Sequence, residues 1–371
     1  MTEQKYPIGQ YPNLPPPKNS VGVVAWLRDS LFSNWFNTLL TILAIYIVIK
    51  TIPGLLDWAF FSADWVGTSR DDCSREGACW VFINVWFDQL MYGRFPEDQV
   101  WRIQASYIIA IAAAIPLFIP AVSRKIKTAL ALFLLVLFPI ICFYLYYGGS
   151  FGLEVVETTL WGGLFLTLVI AVTGIVMSLP LGILLALGRR SNMPVVKSVC
   201  IVFIEFWRGI PLITVLFMAS VMFPLFVPEE LSPDKLIRAL IGVTLFSSAY
   251  MAEVVRGGLQ AIPKGQYEAA AALGLNYWKS MLLIILPQAL KMVIPGIVNT
   301  FIGLFKDTTL VLIIGLFDLL GMAQLAATNP NWLGFSIEGY VFAALGFFVF
   351  CFTMSRYSQS LERRLNTGHR N

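Results

Sequence analysis

From residue 32 onward the chain alternates long apolar runs with short polar breaks. A run of roughly 18 or more apolar residues reads as a membrane-crossing helix, because a helix satisfies its own backbone groups in hydrocarbon. The runs predict eight spans, at about Phe32–Ile49, Tyr107–Val122, Thr128–Tyr147, Thr158–Leu187, Ser198–Phe226, Leu236–Val255, Ile294–Leu320 and Gly339–Met354. The seventh is interrupted by Lys306-Asp307-Thr308-Thr309. The expected fold class is therefore an all-α integral membrane protein.

Four intervals follow from this pattern. Residues 1–31 precede the first span and contain Pro12, Pro15, Pro16 and Pro17, without the basic-then-apolar order of a secretory leader. Residues 32–150 hold three spans and a polar segment at about 53–105. Residues 151–357 hold five spans and every strong motif, and residues 358–371 form a basic tail. No internal repeat is visible, which argues against a transporter built from inverted halves.

Charge orients the array. Arg124/Lys125/Lys127, Arg189/Arg190/Lys197, Arg256/Lys264/Lys279 and Arg363/Arg364/Arg370 all fall on one side of eight spans. Short loops rich in Lys and Arg stay in the cytoplasm, so both termini are expected there. The segment 53–105 holds four arginines against eight acidic residues and falls outside. Lys50 and Arg238 sit at outer ends, where long side chains snorkel. Cys73 and Cys79 belong to that outer segment, and an oxidising space there suits a disulfide. Cys142, Cys200 and Cys351 lie in apolar runs and read as packing residues.

Composition narrows the classes. The chain is 57% hydrophobic and 13% charged, whereas an average soluble domain carries about 25% charged residues. A net charge of +4 with no basic, aromatic-laced cluster gives no reason to expect nucleic acid. The single histidine, His369, and the absence of ligand spacing give no metal site. No Ser/His/Asp set, His-x-x-Glu-His or Gly-x4-Gly-Lys-Ser/Thr phosphate loop occurs, so neither hydrolysis nor ATP binding is expected of this chain.

The polar stretch after the sixth span is the most informative. Pro263 is placed to open a short helix, Gln266–Leu273 are mostly good helix formers, and Gly274 suits a left-handed C-terminal cap. Asn276 is a good N-cap for a second helix continued by Met281–Leu286, which Pro287 is expected to limit or kink. A small-residue helix between membrane spans lets a partner surface approach closely. The pattern Glu268-Ala269-Ala270-x3-Gly274-x9-Ile284-x-Leu286-Pro287 resembles in full the EAA loop of ABC-importer permeases. Arg208-Gly209-Ile210-Pro211-Leu212, Ala249-Tyr250-x2-Glu253-x2-Arg256-Gly257-Gly258 and Lys306-Asp307-Thr308-Thr309-Leu310 are similar to elements of the polar amino-acid group of that family. The likeness is greatest to M-type permeases of the general L-amino-acid importers of proteobacteria.

The resemblance implies a five-helix, type I importer core with cytoplasmic coupling helices, in which Glu268, Ala269, Ala270, Gly274, Leu286 and Pro287 serve the docking of an ATPase. It also implies a second, related permease subunit, two ATPase subunits that hold ATP and Mg, a periplasmic substrate-binding protein, and an L-amino-acid substrate moved across the bacterial inner membrane. No cofactor is expected in this chain itself.

Other residues carry a functional and a structural reading side by side. Glu205 and Arg208 lie in an apolar run, where ionisable groups mark a pathway or gate, or pair within one helix to fix packing. Lys306, Asp307 and Thr308 interrupt a run, which offers polar backbone to a substrate or is a plain structural break. Glu253 and Arg256, one turn apart, read as support for the coupling loop. Asp318 reads as a solvated residue near the outer surface, and Gly162, Gly163 and Gly182 as helix-packing positions. The rival classes are an ion-coupled transporter using Glu205, Arg208 or Asp307, which needs no coupling loop, and a membrane enzyme, for which no residue set exists.

Overall fold

A computed structural model of the chain describes residues 22–119 and 121–365. The Pro-rich stretch before residue 22, His369 and Arg370 lie outside the described residues. Two compact units pack separately, one within Met1–Gly67 and Asp71–Trp80, the other comprising Thr68–Arg70 and residues from Val81 onward.

The first unit consists of α1 (Val23–Leu31) and α2 (Trp35–Leu56), the latter prolonged by a wider turn over Asp57–Phe61. Asn34 caps α2 by accepting the Asn37 N–H at 2.8 Å. The first span is thus longer than its apolar run, and ends in a loop where Cys73 and Cys79 are joined by a disulfide. Asp64 pairs with Cys79 as an isolated bridge and accepts Ser74 through its side chain, while Trp58, Trp65 and Trp80 pack together.

The second unit begins with α3 (Val81–Tyr92), inside the segment read as a polar outer loop. Val81, Phe82, Ile83 and Leu90 are buried, so this helix belongs to the core. Next come α4 (Trp101–Phe118), α5 (Arg124–Leu132) and α6 (Phe138–Tyr147). No packing boundary falls near residue 150: Phe95 and Tyr146 meet the edge of the Phe165 ring, and Arg102, almost wholly buried, donates to the Glu154 carbonyl at 2.8 Å.

The remaining helices are α7 (Gly163–Arg189), α8 (Pro194–Gly209), α9 (Leu212–Phe217), α10 (Phe223–Phe226), α11 (Lys235–Ala261), α12 (Lys264–Ala272), α13 (Tyr277–Ser280), α14 (Leu286–Asp307), α15 (Leu319–Ala327) and α16 (Ser336–Leu365). Among the described residues, seven helices are long and apolar enough to cross a membrane, and α8 with α9–α10 makes an eighth as a bent pair. The fifth expected span is therefore not straight: its halves meet at 100°. Ile210 precedes Pro211 and is pushed to extended backbone, which stops α8 at Gly209 and lets Pro211 start α9.

Other prolines do not stop their helices. Pro139, Pro224 and Pro287 each stand at the second residue after a π-helical turn, at Phe133–Leu137, Met218–Met222 and Met281–Ile285. A proline has no N–H to give and its ring presses on the carbonyl four residues back, which here lies inside the widened turn. Pro287 accordingly neither ends nor sharply breaks the helix; Tyr277–Ile314 runs as one apolar helical stretch.

Two apolar cores organise the unit. One gathers Phe165, Leu166, Ile170, Leu216, Val243, Leu304 and Val311, and the other Ile204, Met251, Ala252, Val255, Leu259, Ile285 and Ala289. The α7–α11 pair crosses both. Gly182 permits that contact, since a Cβ there would lie 2.7 Å from the Met251 Cβ.

Asp318 is fully buried rather than solvated. It caps α15 by accepting the Gly321 N–H at 2.9 Å, while its second oxygen, Oδ2, has no hydrogen-bond partner. The neighbouring Gly163 N–H donates to the Phe317 carbonyl, and the Leu319 N–H to the Thr167 hydroxyl, which draws the loop into the core. Burial pushes the Asp318 carboxyl up to about 6, against backbone hydrogen bonds that pull it down.

Candidate functional site

The coupling element is built by local sequence. Pro263 precedes α12, whose alanines need no partner to be helical. Gly274 then takes φ 71°, and its N–H donates to the Ala271 carbonyl while the Leu275 N–H donates to that of Ala270. This double bond pattern is the Schellman closure, which favours glycine at the left-handed position. Asn276 accepts the Lys279 N–H at 2.9 Å and starts α13.

Three contacts bolt α12 to the membrane helices. The Tyr267 hydroxyl accepts from Arg190 at the end of α7 and donates to the Leu259 carbonyl of α11. The Arg190 guanidinium also lies 5.6 Å from the Tyr267 ring centre. Gln288 of α14 donates to Gln266 at 3.2 Å and to the Ile284 carbonyl at 2.9 Å.

Around this frame the motif residues divide. Glu268, Ala269, Gly274 and Pro287 are exposed, together with Leu273 and Trp278. Ala270 is 1% exposed and Leu286 belongs to an apolar core. Ala270, expected to face the ATPase, is thus turned inward: two residues on from Glu268, it lies near the opposite face of the helix. The small side chain of Ala270 and the apolar one of Leu286 seat the element.

A second cluster lies where α7, α8 and α11 meet. Arg189 reaches Glu205 at 2.9 Å and Glu253 at 3.0 Å. Arg256 pairs with Glu253 at 2.7 Å, and Arg208 approaches Glu253 at 3.7 Å and Glu205 at 4.0 Å. The Arg208 guanidinium also faces the Tyr250 ring at 5.8 Å. The expected pairing of Glu205 with Arg208 within one helix is the longest contact of the set; the shortest, Arg256 with Glu253, lies within α11, and the two from Arg189 run between helices. Glu253, at 16% side-chain exposure, is the shared counter-charge of three arginines, whereas Glu205 is 54% exposed. Two candidate pairs therefore form one network, joined by Arg189, which sequence reasoning used only for orientation. Arg190, Tyr267 and Gln288 were also missed, although a double arginine at the end of a span was visible.

Lys306, Asp307 and Thr308 stand apart from this network. The α14 helix ends at Asp307 and tightens to a 3-10 helix over Thr308–Ile314. Thr308 is buried and donates to the Phe305 carbonyl, and Thr309 to that of Lys306. The change from α to 3-10 helix at this point fits the plain structural break, one of the two readings of the sequence, and the threonine hydroxyls bond the carbonyls beside it.

The region that carries both clusters is shared with known proteins. Residues 178–367 match the family model described as the binding-protein-dependent transport system inner membrane component. The chain is 59% identical to the inner membrane amino-acid ABC transporter permease protein YhdY of Escherichia coli (strain K12), over 96% of this chain and 97% of that protein. It is 40% identical, over 96% of each, to the glutamate/glutamine/aspartate/asparagine transport system permease protein BztC of Rhodobacter capsulatus. A crystal structure of an amino acid ABC transporter with histidines is 30% identical, with a TM-score of 0.48, over 54% of this chain and 92% of that one. The chain belongs to the family of binding-protein-dependent transport system inner membrane components, the permeases of ABC importers.

Proposed function

We propose that this chain carries L-amino acids, polar and acidic ones in particular, through the bacterial inner membrane, as one permease subunit of an ABC importer. It makes and breaks no covalent bond. Its energy comes from two separate ATPase subunits, which hold ATP and Mg and seat on the exposed Glu268–Ala269–Gly274 surface of α12 and α13. A related second permease completes the pathway, and a periplasmic binding protein delivers the substrate. The termini and α12 face the cytoplasm, and the Cys73–Cys79 loop faces outward.

The observation that carries this reading is the bolting of α12 to three helices at once. A rigid displacement of α12 is passed through Tyr267 to the ends of α7 and α11, and through Gln266 and Gln288 to α14. The Arg189–Glu205–Arg208–Glu253–Arg256 network, next to Arg190 in the chain, then holds or releases the crossing of α7, α8 and α11 and serves as the gate. The names of YhdY and BztC support the amino-acid class.

The test is co-purification from native membranes in mild detergent, with Glu268→Lys in parallel. An ATPase and a second permease are expected with the wild-type chain, and loss of the ATPase with the variant. A chain that brings down no ATPase in either form refutes the docking assignment.

A further inference from the structure

A cavity of about 360 Å³ lies along the bent pair and α11, lined by Trp207, Met218, Met222, Ile241 and Leu245 together with Arg238. Its size is that of a small-molecule site, yet its wall is almost wholly apolar. Arg238 is the sole charged residue that lines it. The guanidinium donates to the Ser232 hydroxyl at 3.3 Å, while its Nε is buried without a hydrogen-bond partner. Among the described residues Arg238 forms no ion pair. The nearest acid in sequence, Asp234, is engaged by the Leu236 N–H and the Thr158 hydroxyl, both at 2.8 Å.

Arg238 stands in the first turn of α11, at the end opposite α12, with Lys235 one turn before it. A cation at the end of a spanning helix sits at phospholipid headgroup depth. The chemistry selects the occupant. An amino acid needs an acceptor for its ammonium group, and no carboxylate lines the cavity. A hydrocarbon chain suits the apolar wall, where Met218 and Met222 adapt to it, and a phosphate suits a guanidinium that has no ion-pair partner among the described residues. We propose that the cavity seats one acyl chain of a membrane phospholipid whose phosphate is held by Arg238, so that lipid wedges the corner between α8 and α9.

The test uses the full chain with its co-purifying subunits, reconstituted in phosphatidylcholine doped with phosphatidylglycerol carrying a photoactivatable acyl chain. Crosslinked peptides are expected within residues 206–245. Ala219→Phe, which fills the cavity, is expected to abolish that label. Arg238→Gln is expected to lower it by about fivefold, the worth of one cation–headgroup contact, with Arg238→Lys retaining most of it. Labelling within residues 206–245 no stronger than on the other lipid-facing helices of the wild type overturns the proposal without recourse to any variant. So does equal labelling in Ala219→Phe, or a crosslink from Ala219→Cys to the second permease, which would make this an interface between proteins. Competition by free glycerol phosphate as strong as by lipid would also overturn it.

Discussion

Arg190, at the end of α7, donates to the Tyr267 hydroxyl of α12 at 3.2 Å, and that hydroxyl donates onward to the Leu259 carbonyl at 3.1 Å. One phenol thus joins two membrane helices, α7 and α11, to α12. Tyr267→Phe keeps the ring under the guanidinium and removes both hydrogen bonds, each worth about 1 kcal/mol. The ATPase is expected to remain bound while transport per ATP hydrolysed drops about fivefold. An unchanged ratio in proteoliposomes would rule out this route of coupling.

The five-residue charge network is expected to respond unequally. Glu253→Gln leaves three guanidinium groups without their common counter-charge and destabilises the protein by roughly 2 kcal/mol, partial exposure softening the loss. Glu205→Gln, at a far more exposed position, costs less than about 1 kcal/mol. Thermal unfolding of the detergent-solubilised protein gives the order, and the reverse order would contradict the central place of Glu253.

Asp318 makes stability depend on pH in a defined direction. Its carboxyl holds its proton up to about pH 6 in the folded protein, against a usual value of 3.8. The folded state therefore binds more protons than the unfolded one between these values. Stability is full below pH 3.8 and falls as pH rises through 6, by on the order of 2 kcal/mol. Asp318→Asn keeps the cap acceptor for Gly321 and is expected to lack this fall. Parallel melting curves from pH 4 to pH 7 in both proteins would expose a wrong sign or no difference.

The outer loop offers a chemical check. The denatured, unreduced chain is expected to take up a thiol reagent at three of its five cysteines, Cys142, Cys200 and Cys351. Cys73 and Cys79 should react only after reduction. Five modified cysteines without reductant would refute the bridge.

Much of this protein could be read from local pattern. The Gly274 closure and the Asn276 cap are fixed by residues within one turn, and apolar runs long enough to cross a membrane need no tertiary context. What could not be read depends on neighbours distant in sequence. The α3 helix is too short to register as a span and its polar surroundings hide it. The corner at Ile210-Pro211 occupies too few residues to interrupt a long apolar average. Arg189 and Glu253 meet across 64 positions, and no one-helix spacing predicts that. Asp318 is polar, so sequence alone places it in water; only the packing of Gly163 and Thr167 around it reveals its burial.

The three π turns ahead of Pro139, Pro224 and Pro287 bear on descent as well as on shape. Each widened turn stores one residue more than a regular turn would hold. A relative that replaces the proline has no use for that residue and gains helix regularity by deleting it. Gene histories in this family should thus show paired events, a lost proline with a single-codon gap just upstream, at three separate points along the membrane segment.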